Sequence, residues 1–170
     1  KRAIQAYERG GYDGVLITAT GCSAHLKELA HLFAGDPEWE NRVQAPATAS
    51  KDFLELATPL AGAPKALRVA YHLAGSQPHG LKVNGLGEAL LTAAGFSVLA
   101  IPEGHLCCGS AGSYSILQPR IAGALRKRKL GNIARTAPDL LVSGNIGCLN
   151  HLAVKGAPPM LHIAELLDWA

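Results

Sequence analysis

Short apolar runs of strand length, each separated from the next by a helical stretch, constrain this chain more than any other feature. Val15–Ala19, Ala66–Tyr71, Phe96–Ile101 and Asp139–Ser143 are five or six residues long and mostly apolar. Runs this short, without alternation of polar residues, read as strands buried on both faces. Helices are expected over 1–10, 24–33, a short piece near 52–56, 86–94, 119–136, from Leu149, and up to Trp169. Gly10-Gly11 and Gly95 supply stop signals, and Pro119 suits the first turn of the longest helix. Residues 36–49 read as irregular, residues 72–84 and 102–118 as loops, and Met160–Ile163 as a short apolar segment. The alternation predicts an α/β fold with a mostly parallel sheet and flanking helices.

The 170 residues suit one domain or two small related halves, and 48% hydrophobic against 17% charged residues is enough to bury a core. A net charge of +3 is too weak to suggest nucleic acid. No apolar run reaches the ~18 residues of a spanning helix. Lys1–Arg9 lacks the apolar core of a signal peptide and reads as mid-helix, as though cut from a longer chain. Four cysteines, two of them adjacent, do not make a secreted disulfide framework, so a reducing, cytoplasmic setting is expected.

Gly11–Leu26 aligns without gaps on Ala137–Leu152. Asp13 falls on Asp139, Gly21-Cys22 on Gly147-Cys148, and His25-Leu26 on His151-Leu152. Both copies read helix, strand, Gly-Cys-x-x-His, helix, which predicts a pseudo-twofold repeat. A cysteine at the carboxyl end of a parallel strand lies where open α/β sheets bind ligands, and near a helix N-terminus that favours thiolate.

The chemistry concentrates in Leu106-Cys107-Cys108-Gly109-Ser110-Ala111-Gly112. Neighbouring Cα atoms stand ~3.8 Å apart, under the roughly 4.4–6.8 Å that a disulfide spans, so Cys107 and Cys108 make a poor cystine. Two thiolates on one tight loop suit a multi-iron cluster, each binding a different iron. Gly109 and Gly112 permit positive φ and close backbone approach. A pair of inert buried cysteines, a zinc site, and a thiol nucleophile with a histidine base remain open alternatives. His25 and His151, one helical turn after their cysteines, and His105, two residues before Cys107, are further candidates; His31, His79 and His162 read as structural or surface residues. Arg126-Lys127-Arg128-Lys129, with Arg120 and Arg135, reads as a solvated helix face or as a docking face for an acidic partner or anionic lipid. No hydrolase elbow, Walker loop or dinucleotide fingerprint is present, so no flavin or nicotinamide site is expected.

The Cys-Cys-Gly loop, Leu117-Gln118-Pro119, Gly144-Asn145-Ile146-Gly147-Cys148, Thr18–Glu28 and His162–Trp169 together resemble the cysteine-rich CCG family. The cysteine-rich subunit of heterodisulfide reductase and the iron–sulfur subunits of glycolate oxidases (glycolate dehydrogenases) carry such units. The resemblance implies a [4Fe–4S]-type or noncubane cluster held by Cys107, Cys108 and Cys148, with Gly109 lining it; Cys22 falls in the first repeat's own site and supplies the fourth thiolate only if the pseudo-twofold brings the two repeats face to face. It implies residues 1–60 as the tail of a first CCG repeat and 61–170 as a second, a ferredoxin-like N-terminal part lying outside this chain. The family loop reads Tyr-His, two residues, then Cys; here Tyr71-His72 is followed by Gly75, so one ligand position is empty and His72 or His79 becomes a candidate substitute. The implied role is electron transfer in the cytoplasm from a partner flavoprotein, which takes the hydride from a 2-hydroxy acid such as glycolate, to a quinone or similar acceptor, with peripheral contact at the inner membrane face. The alternative is a cluster-less, degenerate CCG subunit that holds such a complex together.

Overall fold

Val69, Tyr71, Leu140 and Val142 alternate with Ala70 and Leu141 along two adjacent strands, and the alternation sends one set to each face of a sheet. The computed structural model describes residues 1–58 and 67–169. Its elements in chain order are α1 (Arg2–Gly10), β1 (Val15–Ile17), α2 (Thr20–Lys27), α3 (Leu29–Leu32), α4 (Gln44–Ala49), β2 (Ser50–Asp52), α5 (Phe53–Leu56), β3 (Arg68–Tyr71), α6 (Leu86–Ala93), β4 (Ser97–Leu99), α7 (Tyr114–Leu117), α8 (Pro119–Arg135), β5 (Leu140–Ser143), α9 (Ile146–Leu152), β6 (Met160–His162) and α10 (Ile163–Asp168). A π-helical turn spans Gln77–Leu81.

The parallel α/β architecture expected from the apolar runs is present. Four strands form a parallel sheet in the order β4-β3-β5-β6, and β1 pairs in parallel with β2 in a second, two-stranded sheet. On one face of the larger sheet, Val69, Tyr71, Leu140 and Val142 pack with Leu90 and Leu91 of α6 and with Ile163 and Leu166 of α10. On the other face, Ala70 and Leu141 pack with Ile133 of α8, Leu152 of α9, Cys108 and Cys148. Chain order reverses direction between β3 and β5, because β4 lies on one side of β3 and β5 on the other. Such a switch point opens a crevice at the carboxyl ends of the strands.

β1 and β5 each lead into a helix whose third residue is a cysteine, Cys22 in α2 and Cys148 in α9. Each also pairs with a strand that ends in a capping box. Asp52 and Glu55 close α5, and His162 and Glu165 close α10. The two strand–helix corners touch. Thr20 N–H donates to Gly144 O at 3.1 Å, and the Thr20 and Ser76 hydroxyls are 2.9 Å apart. A Cβ on Gly80 would stand 2.7 Å from Ala24 Cβ, so the π-turn lies hard against α2.

Several local expectations change. Leu16 is 57% exposed, so β1 is not covered on both faces among the described residues. Ser50–Asp52 is a strand although it is polar, and residues 44–49 are helical with Pro46 in the first turn, where its missing N–H has no intrahelical role. The helix placed at 24–33 begins at Thr20 and breaks after Lys27. The loop over 102–118 contains α7, and α9 starts three residues before Leu149. The basic run on α8 is not a single solvated face: Lys129 is fully buried and Arg128 pairs with Glu103. Ala66, the expected start of β3, and the expected boundary at 60–61 lie outside the described residues.

Candidate metal centre

Three parallel strands deliver the site. The chain leaves β3 at His72, follows β4 through Pro102–His105 to the Cys107-Cys108 loop, and leaves β5 at Gly144-Asn145 to enter α9. The Cys-Cys loop is held from below by α8. Glu103 stands at φ 52, and its carboxylate accepts from the Arg128 guanidinium and from Asn132 Nδ2, the latter at 2.8 Å. Arg128 first, then Asn132, holds the Glu103 carboxyl down at about 2. Lys129 Nζ donates to the Glu103 and Gly104 carbonyls at 3.1 and 3.2 Å. Leu106 N–H closes the turn on Glu103 O at 2.9 Å.

Gly109 then crosses α8 with φ 93, and a Cβ there would stand 2.5 Å from the Ala122 carbonyl oxygen. Only glycine fits both the torsion and the approach. Ser110 Oγ donates to Gly147 O at 3.0 Å, tying the loop to the start of α9. The Asn145 side chain accepts from the N–H groups of Gly147 (2.9 Å) and Cys148 (3.4 Å), which fixes that turn in its position.

All four cysteines line one cleft of about 690 Å³, together with Gly75, Ser76, Ser110 and Asn145. Cys108 and Cys148 are buried, whereas Cys107 and Cys22 are exposed at its mouth. The ligand atoms of His72, Cys108 and Cys148 all lie within 4.8 Å of one another. Cys107 joins them through a thiol–thiol contact with Cys108, and Gly109 N–H donates to Cys107 Sγ at 3.3 Å. Cys22 faces the same cleft across the Thr20–Gly144 contact but stands outside the close group. Gly75 also lines the cleft, and a Cβ added there would meet nothing within 4 Å. His79 and His105 line a neighbouring cavity instead.

Cys107 and Cys108 are protonated thiols beside a neutral imidazole. The hydrogen bond to Cys108, then burial, pushes the Cys107 thiol well above its usual range. Cys108 is drawn down by Cys107 but raised more by the Cys148 thiol and by burial, to about 11. Burial first, then the Lys129 ammonium, lowers His72 to about 4. Among the described residues neither His72 ring nitrogen has a hydrogen-bond partner. An unpaired buried polar atom costs about 1–3 kcal/mol, so the ring is poised for a partner that the described residues do not provide. Converging sulfurs, an orphaned imidazole and a buried cation beside them fit a sulfur-ligated metal group.

The neutral imidazole carries a pH signature. In the unfolded chain His72 gains a proton below about pH 6.5, whereas in the fold it resists protonation down to about 4. Metal-free protein is therefore expected to lose roughly 3 kcal/mol of stability from this group as pH falls through that window. Urea midpoints read across the window should flatten in His72→Gln; an unchanged slope would count against a buried neutral ring.

Lys129 is the residue that sequence reasoning missed. It lies one helical turn before Ile133 and seven residues after Ala122, both buried, so helical periodicity already pointed it inward. The run of four basic residues around it obscured that signal.

The model for the CCG cysteine-rich domain matches residues 69–153, half of the chain, which runs from the second residue of β3 through α9 and takes in every residue of the close group. The glycolate oxidase iron-sulfur subunit of Escherichia coli (strain K12) is 32% identical over 164 residues, covering 94% of this chain and 40% of that protein. This chain thus spans about two fifths of that relative. Lactate utilization protein A of Geobacillus kaustophilus (strain HTA426) is 29% identical over 183 residues, covering 99% of this chain and 74% of the relative. The protein of the same name from Lysinibacillus sphaericus (strain C3-41) is 28% identical, covering 99% and 78%. With its Cys-Cys-Gly loop, its Gly-Cys corner and a parallel sheet that brings them together, the chain belongs to the CCG family of cysteine-rich domains.

Proposed function

We propose that this chain is part of an iron–sulfur subunit in a complex that oxidises a 2-hydroxy acid, and that Cys107, Cys108 and Cys148 hold the cluster. The observation that carries this reading is the convergence of cysteines from separate loops on one cleft at the switch point of a parallel sheet. The relatives' names, glycolate oxidase iron-sulfur subunit and lactate utilization protein A, point to small 2-hydroxy acids. When bound, an iron–sulfur cluster supplies one-electron transfer. This chain's residues set the conditions for it. The Cys107 and Cys108 thiols give up protons on loading, Gly109 N–H donates to sulfur, and Lys129 holds positive charge beside the thiolates.

Hydride removal from the substrate belongs, in this reading, to a flavoprotein partner, with a quinone or a similar carrier as the final acceptor. In this reading residues 1–60 belong to one CCG repeat and residues 61–170 to a second, and Cys22 stands at the edge of the second repeat's site. Four free thiols suit a reducing compartment. No described helix is long and apolar enough to cross a membrane.

Adding glycolate or lactate to the purified complex without air should bleach its visible cluster absorption, and Cys108→Ala should diminish that response. A response identical in wild type and Cys108→Ala would contradict the reading. Gly75, where the family motif places a cysteine, favours one second reading: a cluster-less unit that holds the complex together. That reading predicts the same iron content with or without Cys108.

A further inference from the structure

The His72 backbone is locked between strands. Its N–H donates to Val142 O at 2.7 Å, and its carbonyl accepts from Ser143 Oγ at 2.9 Å. The imidazole therefore has little freedom to seek a partner elsewhere. It is 2% exposed, and neither ring nitrogen has a hydrogen-bond partner in the described protein. A neutral imidazole carries one donor and one lone pair, and burying both unpaired is costly. Cys108 and Cys148 are within reach, their sulfurs lying with the imidazole inside one 4.8 Å group. Thiols are poor hydrogen-bond partners, but thiolates and imidazole are good co-ligands of one metal.

We propose that His72 is itself a ligand, so that the centre held by Cys108 and Cys148 carries mixed sulfur and nitrogen coordination. The assignment rests on the reading that a metal cluster occupies this cleft. The geometry separates His72 from the other candidates. Cys22 is exposed and stands outside the close group, and His79 and His105 face the neighbouring cavity. His151 has a buried Nε2 without a partner, yet it too stands outside the group. Imidazole in place of thiolate removes a negative charge from the centre and raises its reduction potential. The open space at Gly75 means that a thiolate can be offered from the same loop without steric cost.

The test uses the intact protein, prepared without air and grown with 15N-histidine. Iron lost on Cys108→Ala establishes the centre. The reduced wild type is then expected to show a directly bound nitrogen in pulsed electron paramagnetic resonance, with the coupling changed by the isotope. His72→Cys should abolish that coupling and shift the potential downward, as should the pair His72→Ala with Gly75→Cys. Should those variants fail to fold, replacement of His79, His105 and His151 by glutamine must leave the coupling in place. An iron centre without nitrogen coupling, coupling that survives His72→Cys, or its loss in the triple glutamine variant overturns the assignment while leaving the cluster reading intact. Iron content indifferent to Cys108→Ala overturns both.

Discussion

Cys108→Ala and Cys148→Ala are each expected to strip iron from the protein, whereas Cys22→Ala keeps it. Cys108 and Cys148 are buried on the same face of the sheet and lie with His72 in the close group. Cys22 lines the cleft but is exposed and outside that group. Loss of a partner that merely orients a ligand costs roughly 10–100-fold in metal affinity, and loss of the ligand should cost more. Alanine also removes a buried sulfur, at about 1–2 kcal/mol for a side chain of that size, so the fold should persist. Chelator competition and circular dichroism on the same samples separate the two effects. If Cys22→Ala lost iron as completely as Cys108→Ala, the site would extend across the Thr20–Gly144 contact to include the first strand–helix corner.

Gly109→Ala is expected to be the most destabilising single change in the Cys-Cys loop. The backbone there has φ 93, which an alanine adopts at a cost of about 1–3 kcal/mol. The new methyl would also stand 2.5 Å from Ala122 O and 3.1 Å from Ala122 Cα, both backbone atoms of a 17-residue helix. Overpacking against an element that cannot yield adds about 1–3 kcal/mol more. Any relief must come from the loop, which moves Cys107 and Cys108 away from Cys148. Iron binding should weaken together with stability. Gly112→Ala is the control, because φ is 58 but nothing lies within 4 Å of the added carbon. Urea midpoints should fall far more for the first variant than for the second; equal losses would show that torsion alone matters.

The same physical reasons decide how much of this was legible beforehand. The central strands β3 and β5 announce themselves because strands buried on both faces must be continuously apolar, whereas the edge strand β4 exposes Ser97 and only half-buries Val98 and Leu99; Gly95 and Pro119 mark helix ends through their own backbone limits. β2 was illegible. Ser50, Lys51 and Asp52 carry no apolar signal, and the strand exists because β1 pairs with it from 35 residues away (Val15 with Ser50). The exposed Leu16 misled in the opposite direction, since an apolar run does not reveal how many layers cover it. At the site, the adjacent cysteines and the Gly-Cys corner were readable as chemistry. His72 was readable only as a neighbour of Gly75, because sequence does not show that an imidazole is buried or partnerless. Lys129 was hidden within a basic run whose other members point outward or pair with Glu103 and the α9 end.

Cluster binding requires that sulfur from the loops after β4 and β5 meet at one inorganic centre. Diffraction at the iron absorption edge, from crystals grown without air, tests this most directly. An anomalous iron peak in the cleft, within bonding distance of the Cys107, Cys108 and Cys148 sulfurs, is the predicted result. A cleft with no iron peak beside those sulfurs, or a peak that appears only at the zinc edge, would contradict it.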